Sequence, residues 1–182
     1  LSDDAKKWTT VWRVRGASRG AQDAARLQKG VEPVALGSIG PETSWEKALA
    51  GMQAVVHLAA RAHVMSDDAA DPLAAYREVN VRGTQRLASA AAAAGIERFV
   101  YLSSVKVNGE GASEPYTERD IPRPEDPYGI SKWEAEQALW RAAAGKGLHP
   151  VVLRAPLVYG PGVKANFLKL MGAVDRGLPL PV

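Results

Sequence analysis

Short β-branched runs alternate along the chain with Ala-rich stretches of helical period. The runs TTVWRV (9–14), PVAL (33–36), AVVHLAA (54–60), RFVYLSS (98–104) and PVVLRA (150–155) predict strands. Helices are predicted near 43–50, 71–94, 127–144 and 165–176. Strands that are almost continuously apolar and separated by helices imply a parallel sheet covered on both faces, and right-handed crossovers make it doubly wound. Two helix starts are sharp. Asp71-Pro72 and Asp126-Pro127 each put a carboxylate at an N-cap and a proline at the first helical position, where its missing N–H costs nothing. There is no internal repeat, low-complexity segment or interdomain linker.

At 182 residues the chain has room for one domain with a real core. No apolar run approaches the length of a membrane span, and the polar SDDAKKW after Leu1 does not read as a secretory leader. The absence of cysteine excludes disulfides, thiol catalysis and zinc-thiolate sites, and the expected location is cytoplasmic. A net charge of +3 could suggest nucleic acid, but the cations are scattered among 20 carboxylates, with neither a basic run nor an aromatic platform. No nucleic-acid or membrane partner is expected, and no metal site.

The richest chemistry lies in DPYGISKWEAEQALW. Tyr128 and Lys132 are four apart on a predicted helix and share a face. A free tyrosine titrates at about 10, and a nearby ammonium favours its phenolate, so the pair is a means of building a proton shuttle. The plain alternative is a half-buried tyrosine beside a surface lysine. Ser103 and Ser104 end the strand one crossover upstream, at the sheet edge where open α/β folds gather ligands. A serine hydroxyl there could bond the oxygen that the tyrosine protonates. HLAA (57–60) ends another strand with small residues that let backbone approach a flat ligand.

In order, VVHLAA, EVNVRGT, RFVYLSSVKVNG, DPYGISK with EAE, LRAPLVYGPG and ANFLKLM resemble the extended short-chain dehydrogenase/reductases that act on nucleotide sugars, the NAD-dependent epimerase/dehydratase group. The resemblance runs from about residue 8 through nearly the whole chain and implies a Rossmann-like domain. It makes Tyr128 the catalytic acid/base, Lys132 the residue that lowers its pKa and binds the nicotinamide ribose, and Ser104 the hydroxyl on the sugar oxygen. It places Leu58, Ala59, Ala60, Ser103 and Pro156 along the cofactor, has Asn80 brace the site from the preceding helix, and puts Lys106 and Asn166 near the substrate. HLAA could equally be a buried strand end, and Asn80 a helix residue with a satisfied amide.

Departures from the family pattern matter too. A dehydratase would carry an acidic pair where this chain has Val105 and Lys106, so dehydration is disfavoured. Leu157 replaces an asparagine common in galactose-type epimerases. The VKVNG and PGVKANF wording is similar to bacterial surface-polysaccharide enzymes. The expected function is hydride transfer at the sugar C4 of a UDP-linked nucleotide sugar by an epimerase/oxidoreductase. The alternatives are an NADPH-dependent reductase of a 4-keto nucleotide sugar and a non-catalytic Rossmann-like binding protein. A homodimer through helices 71–94 and 127–144 is implied.

RVRGASRG (13–20) has the look of a phosphate loop, yet Gly16 and Gly20 are four apart with no third glycine at the right spacing. By the resemblance it ends the family's second strand, where an acidic residue selects NAD and arginine accommodates the 2′-phosphate of NADP. Arg15, Ser18 and Arg19, with no carboxylate before Asp23, lean the expectation to NADP(H) over NAD. The first strand, its glycine loop and most of the first helix, on the order of 25 residues of a unit about 30 long, are then expected to precede Leu1. Residues 1–182 would be a partial dinucleotide-binding domain of a longer enzyme, with 160–182 leading into a substrate-binding region. Without its central strand the chain is expected neither to fold cleanly nor to hold a dinucleotide alone.

Overall fold

The structure, a computed structural model, describes residues 12–62, 70–111, 114–160, 163 and 165–179. In chain order the elements are β1 (Arg15–Ser18), α1 (Ala21–Ala24), β2 (Glu32–Ala35), α2 (Glu46–Leu49), β3 (Ala54–His57) and α3 (Pro72–Tyr76). A π-helical stretch (Arg77–Gly83) follows, then α4 (Thr84–Ala93), β4 (Arg98–Ser104), a 3-10 turn (Val105–Val107), α5 (Pro127–Ala143), β5 (His149–Ala155) and α6 (Ala165–Asp175).

All pairings are parallel, and the strands form two sheets, β1-β2 and β3-β4-β5. In a Rossmann-like 3-2-1-4-5-6 order these are the 3-2 and 4-5-6 sides, and the break falls where strand 1 of that order would stand. The β4-β5 register runs from Arg98 opposite His149 to Ser104 opposite Ala155, so the carboxyl ends of both strands finish level. Pro33 sits in β2, an edge strand, where a missing N–H is tolerated.

The core lies between β3-β4-β5 and the α4/α5 pair, filled by Leu87, Ala88, Ala91, Ile96, Phe99, Tyr101, Ala135 and Leu139. Phe99, Tyr101 and Ser103 alternate inward along β4, as the two-residue period of a strand requires. On the opposite face Val56, Val151 and Leu153 are exposed.

Several boundaries differ from the sequence pattern. The first strand occupies 15–18 rather than 9–14, of which 9–11 lie outside the described residues. Pairing decides this: the ladder begins where the Glu32 amide donates to the Val14 carbonyl, just after the positive-φ turn at Gly30. The helix predicted from 43 starts only at Glu46, because the Thr43 hydroxyl closes a turn by accepting from the Gly40 amide and donating to the Ser38 carbonyl. Strand β3 ends at His57, leaving 58–60 as strand exit. The helix over 71–94 is continuous but changes winding in the middle, and α1 is too short for periodicity to reveal. Asp71 and Asp126 cap α3 and α5 as expected, accepting from the amides of Ala74 and Gly129.

Candidate functional site

The first turns of α5 meet the end of β4 through a glycine. A Cβ on Gly129 would lie 2.8 Å from the Lys106 carbonyl oxygen, so only glycine lets the 3-10 turn rest on this helix. The contact brings Ser104 and Lys106 beside the turn that carries Tyr128. Ser104 caps the 3-10 turn, its hydroxyl accepting from the Lys106 amide at 3.3 Å.

Tyr128 is half-buried, and its ring meets Tyr76 edge-on at 6.0 Å between centroids. Burial holds its hydroxyl above the usual phenol range, the Asp126 carboxylate and Tyr76 add to this, and the Lys106 ammonium acts in the opposite direction. Lys132 is 1% exposed. Its ammonium donates to the Leu102 carbonyl at 2.6 Å and lies 4.1 Å from the centre of the Tyr101 ring. Burial pulls it down to about 8, against the pull of Glu136. The resemblance makes Lys132 the cation that depresses the tyrosine, and in this arrangement the Lys106 charge also acts in that direction.

Asn80 braces the site through backbone. Its side-chain carbonyl accepts from the Arg61 amide at 2.8 Å, and its amide nitrogen donates to the Arg61 carbonyl at 3.1 Å and the Ser131 hydroxyl at 2.9 Å. Ser131 in turn donates to the Tyr128 carbonyl at 2.8 Å. The strand exit after β3 is thus tied to the tyrosine turn. The π-helical winding around Asn80 is of the kind that recurs at functional sites, and Arg77 ties the same stretch to Glu134 of α5.

Other expected residues are placed differently. Ser103, expected on the cofactor, gives its hydroxyl to buried Glu136, which also takes the Arg154 guanidinium at 2.8 Å. Lys106, expected on the substrate, is held by Asp126 at 2.6 Å and Glu110 at 2.8 Å. Arg15, expected at the adenosine ribose, reaches α2. It donates to the carbonyls of Lys47, Ala48 and Ala50 at 2.9, 3.1 and 2.9 Å, pairs with Glu32, and has a side chain only 8% exposed. Those free carbonyls at the C-terminal end of α2 want a donor more than the solvent-facing loop does. Ser18 donates to the Gly20 carbonyl, while Arg19 is exposed and 3.6 Å from Asp23. Leu58 and Ala59 are exposed at the strand exit with Ala60 half-buried, and Pro156 borders a cleft of about 660 Å³. The side chain of Asn166 lies outside the described residues.

Sequence reasoning missed Ser131, Tyr76, Arg61 and the Glu136–Arg154 pair. The four-residue step from Lys132 to Glu136 was the available signal for the last. Exposed Leu58 and Ala59 and the part-buried Ser104 and Tyr128 lie at the carboxyl end of the β3-β4-β5 sheet, where open α/β folds gather ligands, with buried Lys132 tied to the Leu102 carbonyl beneath them. The described residues hold no His/Cys/Asp/Glu cluster for a metal, and none of their helices is long and apolar enough to cross a membrane.

Comparison with known proteins shows the family. The family model "NAD dependent epimerase/dehydratase family" matches residues 3–175. A UDP-glucose 4-epimerase of Vibrio cholerae is 49% identical over 148 residues, covering 80% of this chain and 45% of that protein. Among solved structures, MoeE5 in complex with UDP-glucose and NAD is 33% identical with a TM-score of 0.71, over 92% of this chain and 55% of that one. The UDP-glucuronic acid 4-epimerase of Bacillus cereus, in complex with UDP-glucuronic acid and NAD, is 25% identical with a TM-score of 0.75, over 92% and 56%. The chain therefore spans about half the length of the relatives it matches. With that match over nearly its whole length and the tyrosine-lysine turn seated against the end of β4, the chain belongs to the NAD-dependent epimerase/dehydratase family.

Proposed function

We propose that this chain is the cofactor-side part of a nucleotide-sugar 4-epimerase. The observation that carries the reading is the close seating of the Ser104–Lys106 turn on the Tyr128 turn across Gly129. The nicotinamide cofactor supplies the hydride acceptor and donor, and residues Leu58, Ala59, Ala60, Pro156 and Lys132 would hold it.

Tyr128 exchanges the proton of the sugar C4 oxygen, with Ser104 bonding the same oxygen. When the alcohol is oxidised the phenolate takes that proton, and when the ketone is reduced the phenol returns it. Lys132 and Lys106 are the cations of this chain that favour the phenolate. The neutral phenol that burial favours is already suited to the reducing half, which supports a 4-keto sugar reductase as the second reading. Absence of a carboxylate at 105 and 106 supports neither a dehydratase acid nor its base.

With Arg15 committed to α2, phosphate recognition at the adenosine ribose rests on Arg19, and the reading moves from NADP to NAD, the dinucleotide in the MoeE5 and Bacillus cereus structures. A UDP-linked substrate follows the same relatives. A homodimer through α4 and α5 is part of the same reading. A role in surface-polysaccharide synthesis in the cytoplasm completes the proposal.

The test is to incubate the full-length protein with UDP-hexoses and UDP-hexuronic acids and follow C4 configuration by NMR alongside nicotinamide absorbance. Epimer formation without net cofactor turnover is expected. Stoichiometric consumption of reduced cofactor with a 4-keto sugar would replace the epimerase by the reductase, and cofactor binding with no conversion would leave a binding protein.

A further inference from the structure

Lys106 stands out because the family resemblance gives it to the substrate while the structure gives it to two carboxylates. We propose that Lys106 and Asp126 form a positioning pair for Tyr128: their ion pair pins the 3-10 turn to the start of α5 and sets the charge that the tyrosine hydroxyl faces. The inference rests on the reading of Tyr128 as the proton-exchanging group.

One carboxylate does two jobs. Asp126 caps α5 by accepting from the Gly129 amide through Oδ1, and through Oδ2 it takes the Lys106 ammonium at 2.6 Å. Glu110 takes the same ammonium at 2.8 Å from the other side. The backbone repeats the connection, since the Lys106 carbonyl lies against Gly129 where a Cβ would come within 2.8 Å. Tyr128 is therefore flanked by a turn whose position and charge depend on one ion pair.

Among the described residues, the charged and titratable groups around Tyr128 come from several elements. Asp126 and Lys132 belong to its own helix, Lys106 with Glu110 behind it to the segment after β4, Tyr101 to β4, and Tyr76 to α3, with the Arg61 guanidinium 5.4 Å from the Tyr76 ring centre. Among them Asp126 opposes the phenolate and Lys106 favours it. Both members are partly exposed, so solvent screens them and each effect is modest. The opposite signs are what distinguish a charge role from a purely structural one.

The experiment uses the full-length protein with Asp126→Asn, Lys106→Gln and Lys106→Arg, each with and without Tyr128→Phe. The Tyr128 contribution to tyrosinate absorbance is taken as the difference, from about pH 9 to 12.5. Asparagine caps a helix about as well as aspartate, so Asp126→Asn removes the charge and the ion pair while keeping the α5 cap. The midpoint is expected to fall by roughly 0.5–1 pH unit in Asp126→Asn, to rise by a similar amount in Lys106→Gln, and to stay near wild type in Lys106→Arg. The acid limb of kcat should follow the same order. Midpoints that do not move, or that move the same way in Asp126→Asn and Lys106→Gln, would overturn the pair. Turnover retained by Tyr128→Phe would remove the functional reading instead, while the absorbance titration still decides the pair.

Discussion

Asn80 holds Arg61 by both its backbone groups, accepting from the amide at 2.8 Å and donating to the carbonyl at 3.1 Å. A side chain used in this way substitutes for a neighbouring strand at the exit of β3. Its remaining hydrogen bond, to Ser131, carries the bracing on to the Tyr128 carbonyl. Asn80 thus satisfies three partners from within the π-helical stretch.

Asn80→Ala should therefore cost about 2 kcal/mol or more, because it strands a backbone amide and carbonyl away from their partner. Urea unfolding of the full-length protein checks this, and Asn80→Asp should recover part of the loss by keeping the acceptor for the Arg61 amide.

Arg15→Ala should lower stability without changing the preference between NAD and NADP. Its guanidinium serves the C-terminal carbonyls of α2 and Glu32, and losing those bonds costs roughly 1–3 kcal/mol. KM for the two cofactors measured beside thermal stability separates the roles. A selective rise in KM for NADP in Arg15→Ala would restore it to the cofactor, whereas Arg19→Ala is the variant in which any such rise is expected.

The overall architecture was legible because apolar runs and helical stretches alternate in this chain: β4 runs over 98–104 as its nearly continuous apolar run implies, and the Asp-Pro pairs mark two helix starts. The tyrosine-lysine turn and Ser104 were legible as motifs. What pattern could not show is commitment. Arg15, Ser103 and Lys106 each have the right chemistry for a ligand, yet the fold supplies nearer partners in the α2 carbonyls, Glu136 and Asp126. Such partners are 15 or more residues away in sequence, and only tertiary packing brings them within hydrogen-bond range. The winding change around Asn80 also escapes a period argument, since one extra residue in a turn barely alters the apolar spacing.

His57 should remain a neutral imidazole through neutral and mildly acidic pH. It is buried, 3.0 Å from the Thr84 hydroxyl, and burial reinforced by the Lys132 charge pulls its pKa down to about 3. The unfolded chain takes up this proton near 6.5, so the unfolded state binds more protons between about 6.5 and 3. The His57 contribution to stability is thus fully present above about 6.5 and is lost as pH falls toward 3. Imidazole NMR shifts that do not titrate between about pH 5 and 8 are the expected result. In His57→Asn the acid loss of stability should be shallower.

Gly129→Ala should depress kcat by roughly tenfold or more while leaving cofactor affinity within about threefold. The added methyl meets the Lys106 carbonyl at 2.8 Å, so the 3-10 turn or the first turn of α5 must move. Equilibrium cofactor titration and steady-state kinetics on the same preparation distinguish this from general unfolding.

The central claim is that the Tyr128 hydroxyl exchanges the substrate proton. Its most direct test is single-turnover interconversion of a UDP-hexose by full-length wild type and Tyr128→Phe at saturating cofactor. A fall of roughly 10²–10⁴ in rate with cofactor affinity preserved is predicted. A Tyr128→Phe enzyme that turns over at a rate near wild type would contradict the account.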